Sequence, residues 1–326
     1  NEAAPLAQTA VAIGEELNDA PLQVIGHVRL AAIRFGEGQI GESEKHSQLA
    51  LALARQHDIL PLEQAQSLRY LGQIATIHGD YAAARTHYQA SLTLAQQIGS
   101  RPHEGRLLKD LGIIEWRHGA YGRANEYLQA GLANVRATGD RPTEAEILKN
   151  LGVVAWFLGD YAQAADAYQQ SLAIYQDIGD QAGASDTLNN LGLLAWGQGR
   201  YEQSAAYYQQ SLRIKEQIGD RLQMGIMLGN LGIMSRTQGQ YEQARQWHLQ
   251  SLAILEEVGD ELGKGRTLNN LGLVAANLGQ YEQALAYYTQ SLTIRRALND
   301  QEGQGKTLNN LGAVAYMQGQ YATATA

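Results

Sequence analysis

Apolar positions recur along this chain with a helical period, and the helical segments themselves recur. In residues 181–220, Leu188, Leu191, Gly192 and Ala195 fall at i, i+3, i+4 and i+7, one stripe along an α-helix. Gly199 is expected to end that helix, where a residue with positive φ is commonly needed. The pattern resumes near Tyr201 with Ala205, Tyr208, Leu212 and Ile218, which predicts a second helix. Gly219-Asp220 then closes the unit, the glycine stopping one helix and the aspartate free to cap the next. Neither helix can bury its stripe alone. Stacked copies can, giving a solenoid whose stability is roughly a sum over adjacent repeats.

The copies are present in register. Leu-Gly stands at 71–72, 111–112, 151–152, 191–192, 231–232, 271–272 and 311–312, each step 40 residues. Gly79, Gly119, Gly159, Gly199, Gly239, Gly279 and Gly319 follow, each with Tyr two places later, from Tyr81 to Tyr321. A fixed period of this length marks a repeat array and fixes the fold class as all-α. The frame extends backwards through Leu30, Gly38, Ile40 and Leu51, and Val11, Ile13 and Leu17 fit a still earlier second helix. The expected organisation is a single solenoid of about eight helix-turn-helix repeats. It comprises a half repeat (1–19), full repeats at 20–60, 61–100, 101–140, 141–180, 181–220, 221–260 and 261–300, and a truncated one at 301–326. No capping helix is evident at either end, so a segment of a longer protein is expected.

The repeated string L-x-x-L-G, then G-x-Y-x-x-A-x-x-x-Y-x-x-S-L, then G-D, resembles the tetratricopeptide repeat in its 40-residue form. It is similar to the repeats of kinesin light chain, of Gα-binding polarity adaptors and of bacterial signalling ATPases, and to arrays that bacteria pair with caspase-like proteases. Leu68, Leu108, Leu148, Leu188, Leu228, Leu268 and Leu308 stand where the shorter repeat has Trp, and its terminal Pro is absent. The resemblance implies a right-handed α-α superhelix, with the first helix of each repeat lining the inside of the curve.

Composition narrows the function. The chain has 326 residues with 35 Gly, 17 Tyr but only 2 Phe, which suits many similar short helices better than one aromatic core. No apolar run reaches ~18 residues, so no membrane-spanning helix is expected, and no secretory leader opens at residue 1. The absence of Cys removes disulfides, thiolate metal sites and Cys nucleophiles, and fits a cytoplasmic protein. A net charge of −8 argues against a general nucleic-acid binder. Phosphate-loop, nucleophile-elbow and zinc-protease motifs are missing, so neither an enzyme nor a cofactor is expected. His78 and His118 match in adjacent repeats without carboxylate company. Glu115 replaces Ala or Ser as a partly buried carboxyl, and His27 replaces the repeat's Leu as a core variant.

Candidate binding residues lie on a second, varied stripe of the first helices. Asn150, Asn190, Asn230, Asn270 and Asn310 recur there, doubled by Asn189, Asn269 and Asn309. Asn is mediocre in a helix interior, and repeating it breaks a local rule in the way functional surfaces do. Its amide both donates and accepts, so a row can hydrogen-bond an extended peptide of any sequence; the resemblance implies that role. The alternative is a ladder of Asn bonded between neighbouring first helices. Trp116, Trp156 and Trp196 hold one place in three repeats and form either an anchoring shelf or filler between helices, with Phe35 and Tyr316 at matching places. Trp247, on a second helix, is expected to pack. Arg29, Arg69, Arg106, Lys109, Arg117, Lys149, Arg236, Arg266 and Lys306 outnumber Asp110, Glu146 and Asp186 on this stripe, favouring an acidic partner over scattered solvation.

The expected function is a protein- or peptide-binding scaffold whose groove captures an extended acidic segment. It would serve as the ligand-sensing part of a bacterial multidomain signalling protein, a signalling ATPase or a regulator. A free-standing adaptor, or a rod associating end to end, are the alternatives.

Overall fold

The computed structural model describes residues 3–317. Gly319, Tyr321 and the rest of the expected final helix stub lie outside the described residues. The described chain is sixteen α-helices without a strand. After α1 (Ala3–Glu16) come the pairs α2 (Ala20–Gly36) and α3 (Ile40–His57), α4 (Pro61–Ile77) and α5 (Tyr81–Gln97), and α6 (Arg101–Arg117) and α7 (Tyr121–Thr138). They continue with α8 (Arg141–Phe157) and α9 (Tyr161–Asp177), α10 (Gln181–Gly197) and α11 (Tyr201–Ile218), and α12 (Arg221–Thr237) and α13 (Tyr241–Val258). The pair α14 (Glu261–Asn277) and α15 (Tyr281–Ala297) precedes α16 (Gln301–Met317). Even-numbered helices are the first of each pair. Packing divides the chain into two compact units, residues 1–174 and 175–326, and the division falls inside α9.

Two kinds of turn alternate. Within a pair, Gly79 sits at φ 78°, and the Asp80 N–H returns to the Ala75 carbonyl across it, satisfying the end of α4. Gly199 does the same after α10 at φ 73°. Before α8, α10, α12 and α14, a glycine at positive φ is followed by a capping aspartate. Asp140, Asp220 and Asp260 accept from the N–H groups of Thr143, Gln223 and Gly263, which the helix itself leaves without partners.

Two devices lock most of the pairs. The glycine of Leu-Gly lets the facing second helix lay a side chain flat on its backbone: Tyr88 on Gly72 and Tyr168 on Gly152 in the first unit, Tyr208 on Gly192 and Tyr288 on Gly272 in the second. A Cβ at Gly272 would come 2.4 Å from Tyr288 Cε1. The second device is the Ser of the S-L motif. Ser91 and Ser171 in the first unit, and Ser211, Ser251 and Ser291 in the second, each donate to the first-helix carbonyl 26 residues earlier. All five serines are fully buried, and these bonds satisfy hydroxyls that burial would otherwise penalise.

Apolar clusters thread through the stacked pairs, such as Tyr88, Leu107, Leu111 and Ile114 in the first unit and Tyr208, Met227, Leu231 and Met234 in the second. Trp247 is half-buried against the Met227 and Leu228 clusters, as packing predicts. His27 is buried with its Nδ1 3.0 Å from that of His46. Glu115 is almost completely buried, and Arg85 and Arg123 bind its two oxygens at 2.7 and 3.0 Å.

Candidate ligand-binding face

In the first unit the varied stripe of α4, α6 and α8 is largely satisfied by the chain itself. Arg69 on α4 reaches Asp110 on α6 at 2.6 Å. Lys109 binds Glu146 on α8 and approaches Asp110 at 3.5 Å, and Arg106 bonds the capping Asp140 at 2.9 Å. These cations are committed, so the surplus of basic residues counted on the stripe overstates the charge a ligand meets here. Asn150 is committed as well. Its amide nitrogen donates to the Glu146 carbonyl at 2.8 Å, and its oxygen accepts from Trp116 Nε1 at 3.3 Å. Lys149 beside it is half-buried. Arg117 lies 5.8 Å over the Trp116 ring. Trp116 and Trp156 both meet Phe157, whose ring also stacks on Tyr121 at 4.9 Å. Trp156 remains 39% exposed.

The second unit is arranged differently. Asn189, Asn190 and Trp196 lie on α10, Asn230 and Arg236 on α12, Arg266, Asn269 and Asn270 on α14, and Lys306, Asn309 and Asn310 on α16. Asn310 donates to Asn269 at 3.1 Å, one rung of an inter-helix ladder. The Asn189 oxygen is buried without a partner, Asn309 is exposed, and Lys306 pairs with Glu302 one turn away. Asp186 is taken by Lys215 at 2.9 Å. In contrast, Asn190, Asn230 and Asn270 are half-buried, and none makes a side-chain hydrogen bond to another described residue. Arg236 and Arg266 form no ion pair among the described residues. The second unit thus carries three open amides and two open guanidiniums, of which Asn230, Asn270 and Arg266 share one cleft, while Asn150, Lys109 and Asn310 are tied up.

Between α12 and α14 the face opens into a cleft of about 330 Å³. Its lining includes Asn230 and Asn270 but also Ile226, Gly229 and Leu262, which the repeat pattern does not single out. The signal for them is a departure from the pattern: Gly229 stands where α10, α14 and α16 carry Asn189, Asn269 and Asn309. His78 and His118 cap the ends of α4 and α6, and no group of three His, Asp or Glu that could hold a metal exists among the described residues. No helix among the described residues is long and apolar enough to cross a membrane.

Solved structures share this architecture at low sequence identity. The apo form of the quorum sensor NprR from B. thuringiensis superposes with a TM-score of 0.69 at 14% identity, over 99% of this chain and 95% of that one. A Rap protein complexed with competence and sporulation factor gives 0.62 at 12% identity, covering 98% and 95%. A signal transduction ATPase with numerous domains and a tetratricopeptide repeat sensor, from Pyrococcus horikoshii, gives 0.64 at 14%, covering 84% of this chain and 43% of that one. At such identities the likeness is one of fold. Comparison with curated proteins by sequence returns no match. The sequence profile of the tetratricopeptide repeat matches residues 63–137, 126–177, 183–257 and 263–326. With most of its length so matched, and with most helix pairs interlocking through the same glycine and serine positions, the chain belongs to the tetratricopeptide repeat family.

Proposed function

We propose that the first-helix face of residues 175–317 captures an extended, acidic segment of a partner protein. The observation that carries this reading is the row Asn190, Asn230 and Asn270, half-buried amides with no side-chain hydrogen-bond partner among the described residues. These amides are open to solvent, and a peptide backbone offers donors and acceptors to match them whatever its side chains. Arg236 and Arg266, which form no ion pair among the described residues, supply the preference for negative charge and speed the encounter. In this reading the array is the ligand-sensing part of a bacterial multidomain signalling protein, an ATPase or a regulator, working in the cytoplasm. The fold it shares with the quorum sensor NprR, with a Rap protein bound to competence and sporulation factor, and with the sensor of a signalling ATPase supports it.

The test is selection of binders from a random-peptide display library, followed by titration against wild type and the triple variant Asn190→Ala, Asn230→Ala, Asn270→Ala. Each lost hydrogen bond costs ~0.5–1.5 kcal/mol, so the triple variant is expected to bind at least about tenfold more weakly. Selected peptides should be rich in Asp and Glu and bind more weakly as salt rises. A folded triple variant that binds as tightly as wild type overturns the reading.

A further inference from the structure

Gly229 is a glycine that the fold does not need. It lies inside α12 without a positive φ, and a Cβ built there would meet only Ser251 Oγ, at an ordinary 3.5 Å. Its neighbours differ: Gly225 sits against Leu255 and Gly232 against the His248 ring, where a Cβ would approach to 2.9 and 2.5 Å. Glycine inside a helix costs about 1 kcal/mol relative to alanine, and at 225 and 232 close packing accounts for it. At 229 no packing does. What the missing side chain provides is a hollow in the face, where other first helices of this unit project Asn.

The hollow has apolar walls. Ile226 stands where α6, α8, α10, α14 and α16 place Arg106, Glu146, Asp186, Arg266 and Lys306, and it is 38% exposed. Leu262 faces it from α14 and is 37% exposed. The rim is polar: Asn230 and Asn270 flank the cleft from the two helices, and Arg266 borders it. The lining's one acid, Asp260, has an oxygen engaged by the Gly263 N–H at 2.9 Å. A cleft of about 330 Å³ lies at the small end of the ~300–1,000 Å³ range of ligand sites, enough for one bulky side chain with the backbone on either side.

We propose that this cleft is a specificity subsite, taking one bulky aliphatic or aromatic side chain of an extended peptide that carries a carboxylate next to it. The side chain fills the space left by Gly229, against Ile226 and Leu262. Asn230 and Asn270 hold the backbone on either side, and the adjacent carboxylate meets Arg266. The proposal rests on the peptide-capture reading and adds a requirement on the ligand's sequence. The free guanidinium decides for an acidic flank, and the amides decide for a peptide over an amphiphile such as a fatty acid.

The test uses the full chain and short acetylated peptides of Gly and Ser that carry one Asp and one varied neighbour: Leu, Phe or Ala. Affinity is read by fluorescence anisotropy, and the methyl signals of Ile226 by NMR. Leu and Phe peptides are expected to bind about tenfold or more tightly than the Ala peptide, as burial of one large apolar side chain implies. Their binding should shift the Ile226 methyl signals. In Gly229→Asn, which restores the residue found in three sister helices and is therefore expected to fold, the Leu and Ala peptides should converge in affinity. Arg266→Ala should weaken Asp-bearing peptides more than their Asn counterparts. A folded G229N that still discriminates Leu from Ala as wild type does overturns the subsite, as does the lack of any binding at millimolar peptide. The two readings fail separately. If the triple Asn variant weakens every peptide but the varied residue never matters, the subsite alone falls. If the Asn variant changes nothing, or decanoate displaces the peptides, capture through the amide row falls with it.

Discussion

His248 occupies the place where four other repeats put Tyr88, Tyr168, Tyr208 and Tyr288. It is fully buried, its ring lies flat on Gly232, and neither ring nitrogen has a hydrogen-bond partner. Burial, aided by the nearby positive charge of Arg236, lowers its pKa from the ordinary 6.5 to about 4. The unfolded chain therefore binds more protons than the folded one between those values. The stability that goes with a neutral His248 is complete above about pH 6.5, and it is lost progressively as pH falls towards 4. A shift of that size corresponds to roughly 3 kcal/mol. His27, lowered to about 4 by burial and then by the neighbouring His46 and Lys45, acts in the same direction. Thermal melts of the wild type between pH 7 and 4 should show a falling Tm. His248→Tyr, which restores the ring of the sister repeats, should raise the Tm at pH 5 more than at pH 7 and flatten that slope. Equal gains at both pH values would mean that the imidazole is hydrated in the folded chain.

At the scale of the helix pair, the Leu-Gly glycine and the exposed helical glycines should respond in opposite directions to the same substitution. Gly272→Ala drives a Cβ into the Tyr288 ring and should destabilise by ~1–3 kcal/mol despite the better helix propensity of Ala. Gly305→Ala, on α16 with nothing within 4 Å, should stabilise by up to ~1 kcal/mol. Urea denaturation of the two variants checks this, and G272A no less stable than wild type would show that the ring moves aside freely. The helix pairs were legible in sequence because Leu-Gly, Gly-x-Tyr and Gly-Asp each encode a local demand: close approach, a left-handed turn, a cap. The Ser bonds were visible only as part of a string, since a hydroxyl's acceptor 26 residues away is a tertiary fact. The state of each candidate site residue was not legible for the same reason. Asn150 and Asn190 hold one repeat position, yet Asn150 is tied to Trp116 and Asn190 is open. Nor does a count of basic residues reveal that Arg69 and Lys109 find their acids on the following repeat, or that Arg106 finds its own in the aspartate that caps α8. Gly229 could be found in the sequence only by asking which repeat lacks a side chain its sisters share.

Across a whole array, cohesion is a nearest-neighbour property. In each unit helices touch those next to them in sequence, and first helices of adjoining repeats also touch, as α2 and α4, α6 and α8, or α12 and α14 do. The free energy is then close to a sum of repeat and interface terms, and a local defect should stay local. Leu111→Ala in the core between α5 and α6 removes a fully buried side chain and should cost ~2–5 kcal/mol. Hydrogen exchange should show its effect concentrated in α4 to α8, with the amides of α2 and α3 much less affected. An equal acceleration everywhere in residues 3–174 would mean a single cooperative unit and would defeat the additive picture. The same logic bears on ligand capture. A peptide spanning Asn190, Asn230 and Asn270 touches three successive first helices, α10, α12 and α14, and so adds interface energy that neighbouring repeats otherwise supply alone. Bound peptide should slow exchange in those three helices together, by an amount that grows with the logarithm of its concentration above Kd. Protection confined to one of the three would show that the ligand contacts a single repeat, and the row of amides would then not act as a row.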